Sequence, residues 1–244
     1  MTDSESASIS SLLDGLCHRP VNREGRYTNV ELAALVRANG GEITHTYISQ
    51  LRKGDKDNPT SRTIEDLAAA LGVHPAYFLG GRCDRLPGEP AQWRRDGLRH
   101  LFATVHPSGR GPYTPEEVAL AIGRDGRYGA ISASYIRELL AGTSEKPRLK
   151  HILGLARHFG APAAYFFDVV LAARIDAQLE THRVMENLGV NQVIMRAAEE
   201  LPSLEVRRKV LVALARALRP EVSSDEAVEQ ALRSGAAEPG GHRT

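Results

Sequence analysis

The sequence predicts an all-α fold, and three observations predict it. A stretch of the first half recurs in the second half at a fixed offset. Each copy is punctuated by helix-start and helix-stop residues. Sustained apolar–polar alternation is missing, as are hairpin turns between β-branched runs. Composition agrees. With 42% hydrophobic but only 5% aromatic residues, and plentiful Ala, Leu and Arg, the chain suits tight helix packing better than a sandwich of strands.

The recurrence is ungapped over its best stretch. Tyr47-Ile48 and Tyr135-Ile136 lie 88 positions apart. The same offset pairs Ile43 with Ile131, Leu51 with Leu139, Gly54 with Gly142, Pro59 with Pro147, Ile64 with Ile152 and Gly72 with Gly160. It ends on Ala76-Tyr77-Phe78 against Ala164-Tyr165-Phe166. Upstream, Tyr27-Thr28 matches Tyr113-Thr114 at an offset of 86, which puts two extra residues of the second copy within residues 124–129. Leu12 and Leu16 then match Leu98 and Phe102 in a first helix.

The remaining elements follow in order. Thr28-x-x-Glu31 and Thr114-Pro115-Glu116-Glu117 are capping boxes that open the second helix of each copy. Pro115 falls at the first helical position, where its missing N–H costs nothing. The helix after Thr28 ends near Gly40-Gly41. A third helix starts at Thr44 and ends at Gly54. A fourth follows Pro59-Thr60 and closes at Gly72, and a short fifth carries Ala76 to Phe78. Residues 81–92, rich in Gly and Pro, read as a linker. Beyond Asp168, Ile175, Leu179, His182 and Met185 fall at helical spacing, and two further amphipathic helices reach Leu218. The expected organisation is a first domain over residues 8–80, the linker, a second domain over 93–168, a C-terminal helical domain over 169–219 and a disordered tail over 220–244.

Charge and cysteines narrow the function. The net charge is +1, so any nucleic-acid contact must come from local geometry. The middle third, residues 91–168, is the most basic, with a net charge of +4. Cys17 and Cys83 form no Cys-x-x-Cys pair, and Cys17 reads as a small packed hydrophobe. Residues 1–11 are Ser-rich and acidic rather than signal-like, and no apolar run is long enough to span a bilayer, so a cytoplasmic protein without membrane contact is expected. No phosphate-binding glycine loop, serine elbow or zinc-protease motif appears, so neither an enzyme nor a cofactor is expected. His151 and His158, seven residues apart, read as surface residues rather than a metal pair.

Residues 28–54 carry the candidate chemistry. Two helices joined by the tight turn Asn39-Gly40-Gly41-Glu42 match a helix-turn-helix, which lays its second helix in the major groove of double-stranded DNA. Ile43, Ile48 and Leu51 point inward. His45, Thr46, Ser49 and Gln50 then lie on the outward and N-terminal faces, with Gln50 suited to adenine and His45 to a guanine acceptor. Thr44 opens the helix, whose N-terminus can receive a phosphate, and Arg52 and Lys53 near its end suit phosphates. Arg62 completes the expected DNA-binding set.

These residues carry a resemblance. Ile43-Thr44-x-x-x-Ile48-Ser49-x-Leu51-x-x-Gly54 is similar to the Cro/repressor (XRE) helix-turn-helix pattern, whose domains have the lambda-repressor-like fold. The longer run Tyr47 to Gly54, then Asn58-Pro59 and Ala76-Tyr77-Phe78, resembles the actinobacterial EspR-type nucleoid-associated regulators. So does the stretch from Val193 to Leu218, notably Arg196-Ala197 and Val210-Leu211. The resemblance covers most of residues 10–218. It implies sequence-tolerant DNA binding, nucleoid localisation, and a homodimer formed by C-terminal helices through Val193, Ile194, Leu204, Leu211, Leu214 and Leu218. Two departures stand out: Arg52 occupies a position where many family members carry Glu, and a second copy in one chain is unusual for the type.

The second copy keeps the scaffold and loses the readers. His45 is matched by Ala133, Gln50 by Glu138, Arg52 by Leu140 and Lys53 by Ala141. Ser132, Ser134, Arg137, Lys146 and Arg148 are left as secondary DNA contacts. The first copy is expected to read bases while the second positions or packs. The alternative is a protein-interaction adaptor or antitoxin-like module that kept the fold and lost DNA.

Overall fold

The computed structural model describes residues 8–86, 88–106 and 110–187. Helix α1 (Ile9–His18) is capped by the Ser8 hydroxyl, which accepts from the Ser11 N–H. Helix α2 (Asn29–Ala38) opens with the full capping box. The Thr28 hydroxyl accepts from the Glu31 N–H at 3.1 Å, and the Glu31 carboxylate accepts from the Thr28 N–H at 2.8 Å. Helix α3 (His45–Lys53) is capped by Thr44 and stopped at Gly54, whose φ of 82° suits glycine. Helix α4 (Ser61–Leu71) runs from a Thr60 cap to Gly72, and the 3-10 turn η1 (Pro75–Leu79) follows.

A second set follows in the same order. It comprises α5 (Arg95–Thr104), α6 (Pro115–Asp125), α7 (Ala133–Ala141), α8 (Leu149–His158) and η2 (Ala163–Phe166). The Thr114–Glu117 capping box forms, with Pro115 at the first helical position. Helix α6 is 11 residues long against 10 for α2, and Gly126 and Gly129 bend the longer connection to α7. Helix α9 (Val169–Asn187) continues the chain and packs Ala172 into the core.

Each set wraps its own apolar centre. Leu13, Leu32, Val36, Ile48, Leu51, Ile64 and Leu67 are fully buried in the first, and Leu98, Leu101, Val118, Ile136, Leu139, Ile152 and Leu155 in the second. The centres are continuous, because η1 packs on η2 and both belong to one cluster of buried residues. Burial of this many aliphatic side chains is the main stabilising term, at roughly 1.5–3 kcal/mol per fully buried chain. The chain divides into two units after His182, and of the second only residues 183–187, the end of α9, are described. Val193, Ile194, Leu204, Leu211, Leu214 and Leu218, together with the expected tail, lie outside the described residues.

The segment expected as a linker is pinned at several points. The Arg82 guanidinium pairs with Glu89 and, at 2.9 Å, with Asp168. The backbone N–H of Trp93 donates to Glu65 of α4 at 2.8 Å, and the Trp93 ring stacks on Phe166 at 4.8 Å between centroids. Gly and Pro content here marks sharp turns rather than slack.

The two histidines expected on the surface are half-buried. His151 packs edge-on against Tyr135, and His158 against Tyr113 and Phe159. Burial lowers the pKa of both, and for His151 the Arg148 charge lowers it further. Their spacing places them on the apolar face of α8, where an imidazole packs as a flat ring with a polar edge.

Candidate nucleic-acid interface

Helices α2 and α3 meet at a turn that glycine makes possible. Asn39 closes α2 by donating to the Leu35 carbonyl, and Gly40 then adopts a φ of 83°. Gly41 is buried, and a Cβ there would stand 2.6 Å from Val36 Cγ1. Any larger residue would push α3 away from α2. Ile43, Ile48 and Leu51 face inward with exposures of 7%, 0% and 0%, as the periodicity predicts.

That anchorage turns one face of α3 to solvent. Thr44, His45, Thr46 and Lys53 are exposed, and Ser49 and Gln50 are half-buried. The Thr44 hydroxyl is occupied as a cap, accepting from the Tyr47 N–H at 3.2 Å. The His45 and Thr46 side chains, both exposed, meet each other at 3.4 Å. Tyr47 packs on the core edge rather than offering a stacking face.

Arg52 is not on this surface. Its Nε and Nη2 donate to Asp14 Oδ1 at 2.9 and 2.7 Å, and its Nη1 donates to Asn29 Oδ1 at 2.7 Å. Only 17% of its side chain is exposed. A guanidinium forked onto a carboxylate and an amide ties α3 to α1 and α2 and has little left for a phosphate. The same contact accounts for arginine at a position where the resemblance suggests glutamate: Asp14 would repel a carboxylate there. Lys56, not singled out from the sequence, takes over as the second exposed cation beside Lys53. Its N–H donates to the Gln50 carbonyl at 3.2 Å, which folds it back against the end of α3. The Lys-Gly-Asp-Lys spacing was the available signal.

Arg62 and Lys146 also sit elsewhere. Both line a groove of about 460 Å³ between the two helical sets, with Glu65, Trp93 and Arg95, and Arg62 pairs with Asp66 at 3.0 Å. Arg62, expected in the DNA-binding set, lies in the first turn of α4, which Thr60 caps.

The matching face of α7 differs. Ser132 caps the helix, accepting from the Tyr135 N–H, while Ser134 and Glu138 are exposed. Arg137 pairs with Glu116 of α6. Arg148 donates to the Asn58 carbonyl at 3.3 Å. Ile131, Ile136 and Leu139 hold the helix as their counterparts hold α3. Among the described residues no group of three or more His, Cys, Asp or Glu could hold a metal ion, and no helix is long and apolar enough to cross a membrane.

A helix pair with a tight glycine turn, its second member anchored by aliphatics and polar outside, defines a helix-turn-helix. A helix-turn-helix family model matches residues 23–78, which contain α2, α3 and α4. The chain is also similar to the nucleoid-associated protein EspR of Mycobacterium tuberculosis, in strains CDC 1551 / Oshkosh and H37Rv. Each match is 37% identical over 114 residues, covering 47% of this chain and 83% of the relative. The chain belongs to the EspR family of helix-turn-helix proteins. The matched length is shorter than the span of residues 10–218 over which the sequence resemblance was traced.

Proposed function

We propose that this protein is a DNA-binding regulator of the nucleoid-associated kind, which lays α3 in the major groove of double-stranded DNA. The observation that carries this reading is the exposed face of α3. His45 and Thr46 are exposed and pair with each other, Gln50 is half-buried on the same helix, and Lys53 and Lys56 are exposed at the helix end. Base edges are read by side chains of this type at the N-terminal half of such a helix, and phosphates by cations at its margins. The relatives' name, nucleoid-associated, supports the same compartment. Ser132, Ser134 and Arg137 give α7 a weaker, sequence-independent role, and dimerisation through the C-terminal helices would pair two such units.

The roles separate experimentally. Gln50→Ala is expected to change sequence preference at one base position, at about 1–3 kcal/mol of discrimination. The double substitution Lys53→Ala with Lys56→Ala is expected to weaken binding to all duplexes alike and to flatten the salt dependence by about one unit per lost contact. A salt titration that leaves both affinity and slope of the double variant unchanged would remove α3 from the groove.

A further inference from the structure

The two helical sets are joined by a reciprocal contact. The N–H of Ser61 donates to the Pro147 carbonyl at 2.7 Å, and the N–H of Leu149 donates to the Pro59 carbonyl at 2.8 Å. The 88-residue offset that carries Pro59 to Pro147 also carries Ser61 to Leu149. Exchanging the two sets therefore exchanges the two bonds. Between them, Thr60 forms an isolated antiparallel bridge with Arg148, its own counterpart at the same offset. A second contact joins the sets where η1 packs on η2. Gly81 lies against Ala76 and that residue's counterpart Ala164, so near that an added Cβ would stand 2.8 and 2.7 Å from their methyl carbons. Contact between equivalent residues, with i meeting j and j meeting i, is the signature of an isologous two-fold interface. Here both partners belong to one chain.

A two-fold rotation leaves position along its axis unchanged. The rotation therefore carries α3 onto α7 at the same height on the other side of the axis, the relation that the two recognition helices of a helix-turn-helix dimer bear to paired half-sites. We infer that a single chain is a built-in pseudo-dimer that engages two successive half-sites of double-stranded DNA, one read by α3 and the other gripped without base reading by α7. The partner is an asymmetric duplex site: a specified half, and beside it an unspecified half held through phosphate. Glu138 in place of Gln50 removes the adenine reader from α7. Arg137, exposed although paired with Glu116, and Arg127 in the longer α6–α7 connection supply cations for the backbone. This inference rests on the DNA-binding reading given above.

Selection of duplexes from a randomised pool by the full chain, followed by hydroxyl-radical footprinting, tests it. Each consensus half-site should be accompanied on one side, about one helical turn or ~34 Å away, by a protected backbone stretch with no consensus. Two variants break the dyad. Ser61 occupies the first position of α4, where proline is tolerated, and Thr60 already has the extended backbone (φ −77°, ψ 160°) that a following proline needs. Ser61→Pro thus removes one reciprocal donor and sets a ring carbon against the Pro147 carbonyl. Gly81→Leu wedges the second contact. Both should keep the consensus half, lose the accompanying protection and bind about tenfold more weakly, with helical content by circular dichroism preserved. If Ser61→Pro fails to fold, Gly81→Leu and the wild-type footprint carry the test. Protection confined to consensus half-sites overturns this inference alone. No binding to any duplex overturns it together with the function on which it rests.

Discussion

Helices α3 and α7 are the same object built twice and finished differently. Both are nine residues long, capped by a hydroxyl and stopped by a left-handed glycine. Both are held by an isoleucine and a leucine of zero exposure, Ile48 and Leu51 in one, Ile136 and Leu139 in the other. They part company outside. Helix α3 shows His45, Thr46, Gln50 and Lys53, whereas α7 shows Ala133, Ser134, Glu138 and Ala141. The scaffold residues answer to packing, which is unforgiving in both copies. The outward residues answer only to a partner, so one copy can lose its readers without losing its fold.

Core truncation should be the largest perturbation, and it tests whether the copies are equal as structure. Leu51→Ala and Leu139→Ala are each expected to cost about 2–5 kcal/mol. Because the two centres are continuous, denaturant unfolding of either variant should remain one transition for residues 8–182. Two separate transitions would show that the copies fold independently.

Arginine substitutions should be next. Arg52→Ala strips three charge-assisted hydrogen bonds to Asp14 and Asn29 and is expected to cost about 1–2 kcal/mol, allowing for the exposed carboxylate. Arg137→Ala breaks an exposed pair and should cost under about 0.5 kcal/mol. Equal midpoint shifts for the two variants would mean that Arg52 is as loosely held as Arg137.

Acid sensitivity should also divide the copies. His151 and His158 in the second, and His74 in the first, have pKa values lowered chiefly by burial. A histidine kept neutral in the folded chain binds its proton more readily once unfolded. Its contribution is therefore intact above the unfolded value, about 6.5, and declines as pH falls below it. Asp168 differs. Burial alone would raise its carboxyl, but the Leu171 N–H and the Arg82 guanidinium outweigh that and hold it low, so its contribution is lost only in the acid range below about pH 4. Replacing both His151 and His158 by Phe should flatten the stability profile between pH 5 and about 6.5 more than His74→Asn does, as urea melts across that range would read. An unchanged slope in the double variant would contradict their buried state.

The smallest effect concerns α7 on DNA. If α7 grips the backbone as inferred, Glu138→Gln removes a carboxylate that would repel phosphate, and should raise affinity a few-fold while leaving the consensus unaltered. A new base preference would mean that α7 reads sequence after all.

What was legible in the chain was local. Thr28–Glu31 and Thr114–Glu117 announce their helices within four residues, and Gly54, Gly72 and Gly142 announce the ends. The inward set of α3 follows from a period of 3.6. Contacts distant in sequence were not legible. Arg52 finds Asp14 across 38 residues, and a cationic helix end looks the same on paper whether or not a carboxylate waits beneath it. Arg62 and Lys146 were separated by more than 80 residues and share a groove. The offset of 88 announced a repetition, but nothing in it foretold that Pro59 and Pro147 would face each other across a pseudo-dyad. The Gly- and Pro-rich stretch 81–92 looked loose because the charge that pins it, Asp168, lies far downstream.

The claim that α3 enters the groove is tested most directly by giving it the residue its counterpart carries. Equilibrium binding of wild-type and Gln50→Glu chains to the selected duplex, across a salt gradient, makes that comparison. The account predicts that Gln50→Glu binds at least tenfold more weakly and loses its preference for the selected sequence, while its unfolding midpoint is unchanged. Equal affinity and equal preference for the two chains would contradict it.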